Sequence, residues 1–241
     1  MKTIAGALVV LLLALLHVYF PAFDRGASRY RHIWIPLSGG VALGYVFFYM
    51  LPKLSDYTAG FIAANPDGWE FLHYHFFVIA LLGLLTYLWL DRLSHREDLD
   101  AHKWRPPLGL GFGAYSLLIG YLIADVPRAG LTPYILILIA FGPHFLSIDH
   151  QLRLRNEVHF DRFLRWIFAV MLLTGWTLGV VTELPKSVVG ATTAFLSGAI
   201  LVNVMTEELP NRRTDRMWPF LVGVAIFLLI ALIIRSLPRL A

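Results

Sequence analysis

An all-α, polytopic membrane protein with eight transmembrane helices is the fold class this sequence predicts, and three observations carry it. Of the 241 residues 58% are hydrophobic and 15% charged, against about 25% charged in soluble domains, and the mean hydropathy is +0.66. Eight apolar stretches follow one another, and at about 20 residues per bilayer crossing they use nearly the whole chain as a single transmembrane domain, 1–241. The basic residues between the stretches alternate, few then many: Lys2; Arg25, Arg29 and Arg31; Lys53; Arg92, Arg96, Lys103 and Arg105; Arg128; Arg153, Arg155, Arg162 and Arg165; Lys186; Arg212, Arg213 and Arg216; Arg235 and Arg239. Short loops rich in Lys and Arg stay on the cytoplasmic side. The expectation is a multi-pass protein of the cell (plasma or inner) membrane with both termini non-cytoplasmic.

The first stretch, 4–20, has a long apolar run, no small-x-small cleavage pattern after it and its basic residues behind it, so it is read as a retained helix rather than a signal peptide. The others are 34–54, 71–90, 108–124, 132–148, 163–181, 188–206 and 218–234. Asn65-Pro66-Asp67-Gly68 and Arg105-Pro106-Pro107 are breaker sequences that support the cuts beside them. The longest cytoplasmic loop, Asp91 to Pro107, holds His95 and His102, read as solvated. Trp34, Trp69, Trp89, Trp104, Trp166, Trp176 and Trp218 fit interfacial belts.

The net charge of +4 sits in the basic loops and is a topology signal, so nucleic acid is not an expected partner. The chain has no cysteine, which excludes disulfides and thiolate ligands. Any metal site must draw on His, carboxylates or neutral oxygens.

One repeat is legible. Ser38-Gly39-Gly40 and Met50-Leu51-Pro52 on the second stretch match Ser197-Gly198-Ala199 and Glu208-Leu209-Pro210 on the seventh. The charge pattern sends the two through the membrane in opposite directions, which makes the repeat an inverted one with Ser38 and Ser197 in equivalent places. Secondary transporters are built this way.

Ionisable groups at membrane depth are functional candidates. Gly142-Pro143-His144-Phe145-Leu146-Ser147-Ile148-Asp149-His150, at the inner end of the fifth stretch, is the densest set. On an ideal helix His144 and Ser147 share a face, whereas Asp149 and His150 point away from it and are read as interfacial. Tyr115 and Ser116 lie near the middle of the fourth stretch. Asn203 and Glu207 fall at i and i+4 on the seventh and could contact a cation together, while Glu208 is read as a solvated helix end. His73 and His75 sit near the outer surface among aromatic residues.

Taken together these features resemble the Zrt/Irt-like (ZIP) metal transporter family. Tyr49-Met50-Leu51-Pro52 is similar to the His-Leu-Leu-Pro that closes the family's second helix, and Glu207-Glu208-Leu209-Pro210 to the Asp-Met-Leu-Pro-Glu that closes its seventh. Tyr115-Ser116-Leu117-Leu118-Ile119-Gly120 keeps the Ser and Gly of the family's His-Ser-x-x-Asp-Gly. His144 to Asp149 keeps the first histidine of His-Glu-x-Pro-His-Glu, with Ser147 where the family has Pro. The resemblance implies a three-two-three helix arrangement with an inverted repeat, and transport of a divalent cation of the zinc, iron or manganese class. It also implies that Tyr115, Ile119, Phe145 and Ile148 stand where family ligands stand, a site too poor in carboxylates for two ions.

Three functions follow as expectations. The first is a ZIP-like cation transporter, not an enzyme, using His144, Tyr115, Ser116, Ser147, Asn203 and Glu207. The second is a non-transporting structural or regulatory relative. The third is an intramembrane metal-dependent hydrolase gathering His73, His75, His144, Asp149 and His150. The expected partners are the lipid bilayer and the divalent cation, with a homodimer as a candidate assembly.

Overall fold

The computed structural model describes residues 2–65, 74–94, 106–126, 131–182, 184–210 and 217–236. The loops centred on Lys103 and Arg213, together with Trp69, His73, His95, His102, Trp104 and Arg128, lie outside the described residues. Every described element is helical: α1 (Lys2–Ala27), α2 (Arg31–Tyr45), α3 (Leu51–Ala64), α4 (His75–Ser94), α5 (Pro106–Ala124), α6 (Thr132–Arg155), α7 (Glu157–His159), α8 (Arg165–Val181), α9 (Lys186–Asn203) and α10 (Trp218–Ser236). Six helical runs among the described residues are long and apolar enough to cross a bilayer, Ile4–Ala64, His75–Leu93, Pro107–Ala124, Thr132–Arg155, Glu157–Val181 and Lys186–Glu208, and Trp218–Ile233 is a shorter apolar helix. This is compatible with a multi-pass membrane protein.

The run Ile4–Ala64 does not stay straight. A 3₁₀ turn, Ser28–Tyr30, joins α1 to α2, and Tyr30 leaves helical geometry at φ −109°, ψ 12°. The rings of Phe23 and Trp34 come within 5.5 Å of each other, although eleven residues of straight helix would hold them about 16 Å apart. The chain therefore folds back here, and α1 and α2 both pack on α6.

Several helices outrun their apolar stretches. Continuing past Ile148 to Arg155, α6 leaves His144 near its middle rather than at its inner end. The helical run into α8 begins at Glu157 instead of 163. Charged side chains on long apolar stems extend a helix beyond its hydrophobic window while keeping their heads in polar surroundings. The largest buried shares belong to α6 and α9, 67% of each apolar window, whereas α4 buries 22%. Thus α6 and α9 are central and α4 is peripheral.

Three π turns occur among the described residues, Val46–Met50, Val204–Glu208 and, just before α8, Phe160–Leu164. Val46–Met50 joins α2 to α3 and Val204–Glu208 extends α9, each closed by an i→i+5 bond, from the Leu51 and Leu209 N–H groups to the Val46 and Val204 carbonyls. In both, a proline follows two residues later, Pro52 and Pro210. At Pro52, inside the helical run, proline cannot donate and its ring crowds the carbonyl four residues back, and an extra residue in the turn relieves that conflict; before Pro210 the helix ends, with Leu209 extended at φ −70°, ψ 130°.

Glycines set the closest crossings. A Cβ on Gly40 would stand 2.0 Å from the Phe220 carbonyl oxygen of α10, and one on Gly198 would stand 1.8 Å from that of Ala80 in α4. Reciprocally, Gly223 meets the Leu37 carbonyl and Gly83 that of Phe195. One sequence offset relates Gly40 to Gly198, Leu37 to Phe195, and the π turn at Val46–Met50 to that at Val204–Glu208. This corrects the register by one residue. Ser38 answers to Leu196 and Ser197 to Gly39, because backbone contact, which only glycine permits, fixes the alignment.

Candidate functional site

α9 begins with Lys186, which shares a cavity of about 1030 Å³ with Lys53, Asp56, Tyr57 and Asp125. Asp125 lies just past the end of α5, where burial pushes its carboxyl up while Lys53 and Lys186 oppose that shift. The run ends at Glu208, and its neighbour Glu207 pairs with Arg155, whose guanidinium is also 3.6 Å from Asp91. That run covers roughly 30 Å at 1.5 Å per residue, the thickness of a hydrocarbon core. The sparse lysines and the dense arginines of these loops therefore sit at opposite ends of the bundle.

Next to the arginine-rich end, four helices bring polar groups into one buried line. The His144 imidazole of α6 lies with Nδ1 2.6 Å from Glu208 Oε1 and Nε2 2.9 Å from the Tyr115 hydroxyl of α5. Ser38 Oγ of α2 is 3.2 Å from Glu208 Oε2 and also donates to the Ile35 carbonyl at 2.7 Å. All four side chains are buried, at 0–1% exposure. Because a carboxylate only accepts, Nδ1 carries the proton and donates to Glu208, which leaves Nε2 to accept from the Tyr115 O–H. Gly39 makes room: a Cβ there would meet the Glu208 Cβ at 2.7 Å.

Of the residues the sequence singled out, Tyr115 and His144 are brought together and the others are not. Ser116 turns back to the Phe112 carbonyl of its own helix, 3.0 Å away. Ser147 Oγ and Asn203 Nδ2 are buried with no hydrogen-bond partner among the described residues. Glu207 faces Arg155 rather than His144. Glu208, expected to be solvated, is 1% exposed and takes the place expected of Glu207. The π turn is the cause: one added residue per turn rotates Glu208 onto the face where Glu207 would stand in an unbroken α-helix.

Asp149 and His150 do point away from His144, but they are buried, not interfacial, at 0% and 4% exposure. Asp149 Oδ2 lies 2.8 Å from His17 Nδ1 of α1. His150 Nδ1 lies 3.0 Å from Asp24 Oδ1. Arg31 and Arg153 also reach Asp24, at 2.8 and 3.0 Å. Neither His17 nor Asp24 was a candidate, since α1 reads as uniformly apolar with a basic tail. His75 packs on the rings of Phe61 and Phe76, at 4.3 and 3.9 Å between centroids, so it does not join the histidines of α6. No three His, Asp or Glu side chains converge to hold a metal ion among the described residues. No protein-family model matches the sequence and no curated protein matches it.

Proposed function

We propose that the chain is a ZIP-like, eight-span integral membrane protein that moves a single divalent cation through the line Ser38, Tyr115, His144 and Glu208. The observation that carries this reading is the buried His144–Glu208 pair, an imidazole and a carboxylate from two central helices. Intramembrane ionisable groups mark ion pathways. Support for eight spans comes from Ile4–Ala64, which at 1.5 Å per residue would be about 90 Å long, too long for one crossing, and folds back at Ser28–Tyr30 into two rods, α1 and α2 with α3. Counting α10 gives eight rods, which the proposal takes as three, two and three, and the matching crossings at Gly40 and Gly198 support an inverted repeat.

In the arrangement described, His144 and Glu208 satisfy each other. A cation arriving from either end would take a lone pair on Nδ1 and the Glu208 carboxylate. The imidazole proton would then move to Nε2 and point at the Tyr115 oxygen, which holds the ring in place as an outer partner. With one carboxylate the ion keeps a net positive charge in a dry setting, so it binds weakly and leaves readily. Nearest the arginine-rich end, a gap of about 20 Å³ lined by Tyr87, Asp91, Gln151, Arg155, Asn203, Glu207 and Glu208 adjoins the site. This is room for one water.

The test is uptake of zinc, manganese or ferrous iron into proteoliposomes by wild type, His144→Ala and Glu208→Gln. Uptake by wild type that both variants lose supports the reading, and equal uptake by all three overturns the assignment of the site. Because both His144 nitrogens are already engaged, a second reading is favoured by the same geometry, a non-transporting relative in which the line is a structural link between helices. No uptake by wild type under any gradient, with loss of thermal stability in both variants, would select it.

A further inference from the structure

We propose that His17 and Asp149 form a proton-binding site, an imidazole–carboxylate pair that takes up and releases one proton inside the bundle. It is separate from the His144 line and stands whether or not a cation moves there. Asp149 is five residues beyond His144, so on α6 the two side chains point about 140° apart. His144 faces α5 and α9; Asp149 faces α1.

The pair is dry, with His17 at 1% and Asp149 at 0% exposure. The imidazole is packed 4.6 Å from the Phe145 ring and 5.7 Å from the Phe168 ring. Only one hydrogen bond, 2.8 Å between His17 Nδ1 and Asp149 Oδ2, joins the two groups. Their remaining polar atoms, His17 Nε2 and Asp149 Oδ1, have no partner among the described residues. A pair kept only to tie α1 to α6 gains nothing from leaving two buried polar atoms open, at about 1–3 kcal/mol each. Open atoms on a histidine and a carboxylate are instead where a proton arrives and departs.

The surroundings leave the pair to set its own charge. From α8, Arg165 donates to the Val18 carbonyl at 2.9 Å. From α1, Asp24 lies two turns beyond His17 and is held by Arg31 and Arg153. On α6, His150 lies against Asp24 and His144 is bonded to Glu208, and on α5 Tyr115 is bonded to His144. In the π turn before α8, Asp161 is taken by Arg153, and Arg162 lies over Phe163. With one proton between them His17 and Asp149 sum to zero charge, whether as imidazole with carboxylic acid or as imidazolium with carboxylate. Its release leaves an uncompensated carboxylate among phenylalanine rings, a state that low dielectric makes costly enough to alter how α1 and α6 pack.

Infrared difference spectroscopy of the full chain in lipid nanodiscs tests this from about pH 4 to about pH 9, a window that includes the ordinary carboxylate and imidazole values. The expected result is one carboxylic acid band that grows as pH falls in wild type, persists in His144→Ala and is lost in Asp149→Asn. His17→Gln should leave that band present across the window, because the countercharge for the carboxylate is gone. An Asp149→Asn spectrum that superimposes on wild type overturns the site, as does loss of the band in His144→Ala. Should Asp149→Asn fail to assemble, Asp149→Glu keeps the carboxyl one methylene further out. A displaced band then supports the site and an unaltered titration overturns it.

Discussion

His144 Nδ1 and Glu208 Oε1 approach to 2.6 Å across two helices, and both side chains are shut away from solvent. Glu207, one residue earlier, faces a different helix end and the Arg155 guanidinium.

The two adjacent glutamates should therefore separate cleanly in experiment. Glu208→Gln is expected to abolish cation uptake. Glu207→Gln should leave cation affinity within about threefold and loosen only the exposed end of α6, since a part-exposed pair contributes about 1 kcal/mol or less. Uptake assays on the two single variants, side by side, check this; a larger loss from Glu207→Gln would place the working carboxylate wrongly.

Gly40→Ala and Gly198→Ala should each destabilise the bundle by about 1–3 kcal/mol, the usual range for overpacking. An added methyl at either position meets a carbonyl oxygen at 2.0 Å or less, and backbone cannot step aside as a flexible side chain can. Gly26→Ala is the control, for nothing lies within 4 Å of its Cβ. Thermal unfolding in detergent should rank Gly26→Ala with wild type and the other two well below.

Asp24 is the anion that Arg31, Arg153 and His150 share. Asp24→Ala is expected to cost about 3 kcal/mol or more, as when a buried ion pair loses one partner, because two guanidiniums are left facing one another. Arg153→Gln should cost less, with Arg31 still in place. Chemical denaturation midpoints in one detergent decide the order, and an Asp24→Ala midpoint equal to wild type would dismiss the cluster as a tie between α1, α2 and α6.

Sidedness can be measured directly because the chain has no cysteine of its own. A single cysteine at position 56, in the wall of the large cavity, should react with an impermeant thiol reagent in intact cells, and one at position 103 should react only after lysis. Reaction at 103 in intact cells would reverse the proposed orientation.

The helical class and the sidedness of charge were legible because hydropathy and the placement of Lys and Arg are local properties of a sequence. His144 and Tyr115 were legible for a similar reason, being polar residues in the middle of apolar stretches. Glu208 was not, since its place depends on an extra residue in a turn and the ideal helix angle assigns that face to Glu207. Proline at 210 marked the helix end, and the helix does end at Glu208, but nothing local announced the π turn that closes it. His17 and Asp24 escaped notice because their partners lie more than a hundred residues away on α6, a separation that no periodicity reports. The repeat was visible in its Leu-Pro ends, while its glycine register came out one residue adrift, since serine and glycine occur together in both halves and only the crossing backbones distinguish them.

The matched π turns end on unlike residues: Met50 closes the first and Glu208 the second, each 1% exposed. Under the proposed inverted repeat, the backbone alone would look alike from either side of a membrane. A thioether in one half and a carboxylate in the other break that likeness, as do Ser38 and Leu196, so the bulge of α9 offers a group that can hold a proton or a cation where the bulge after α2 presents only an apolar wall.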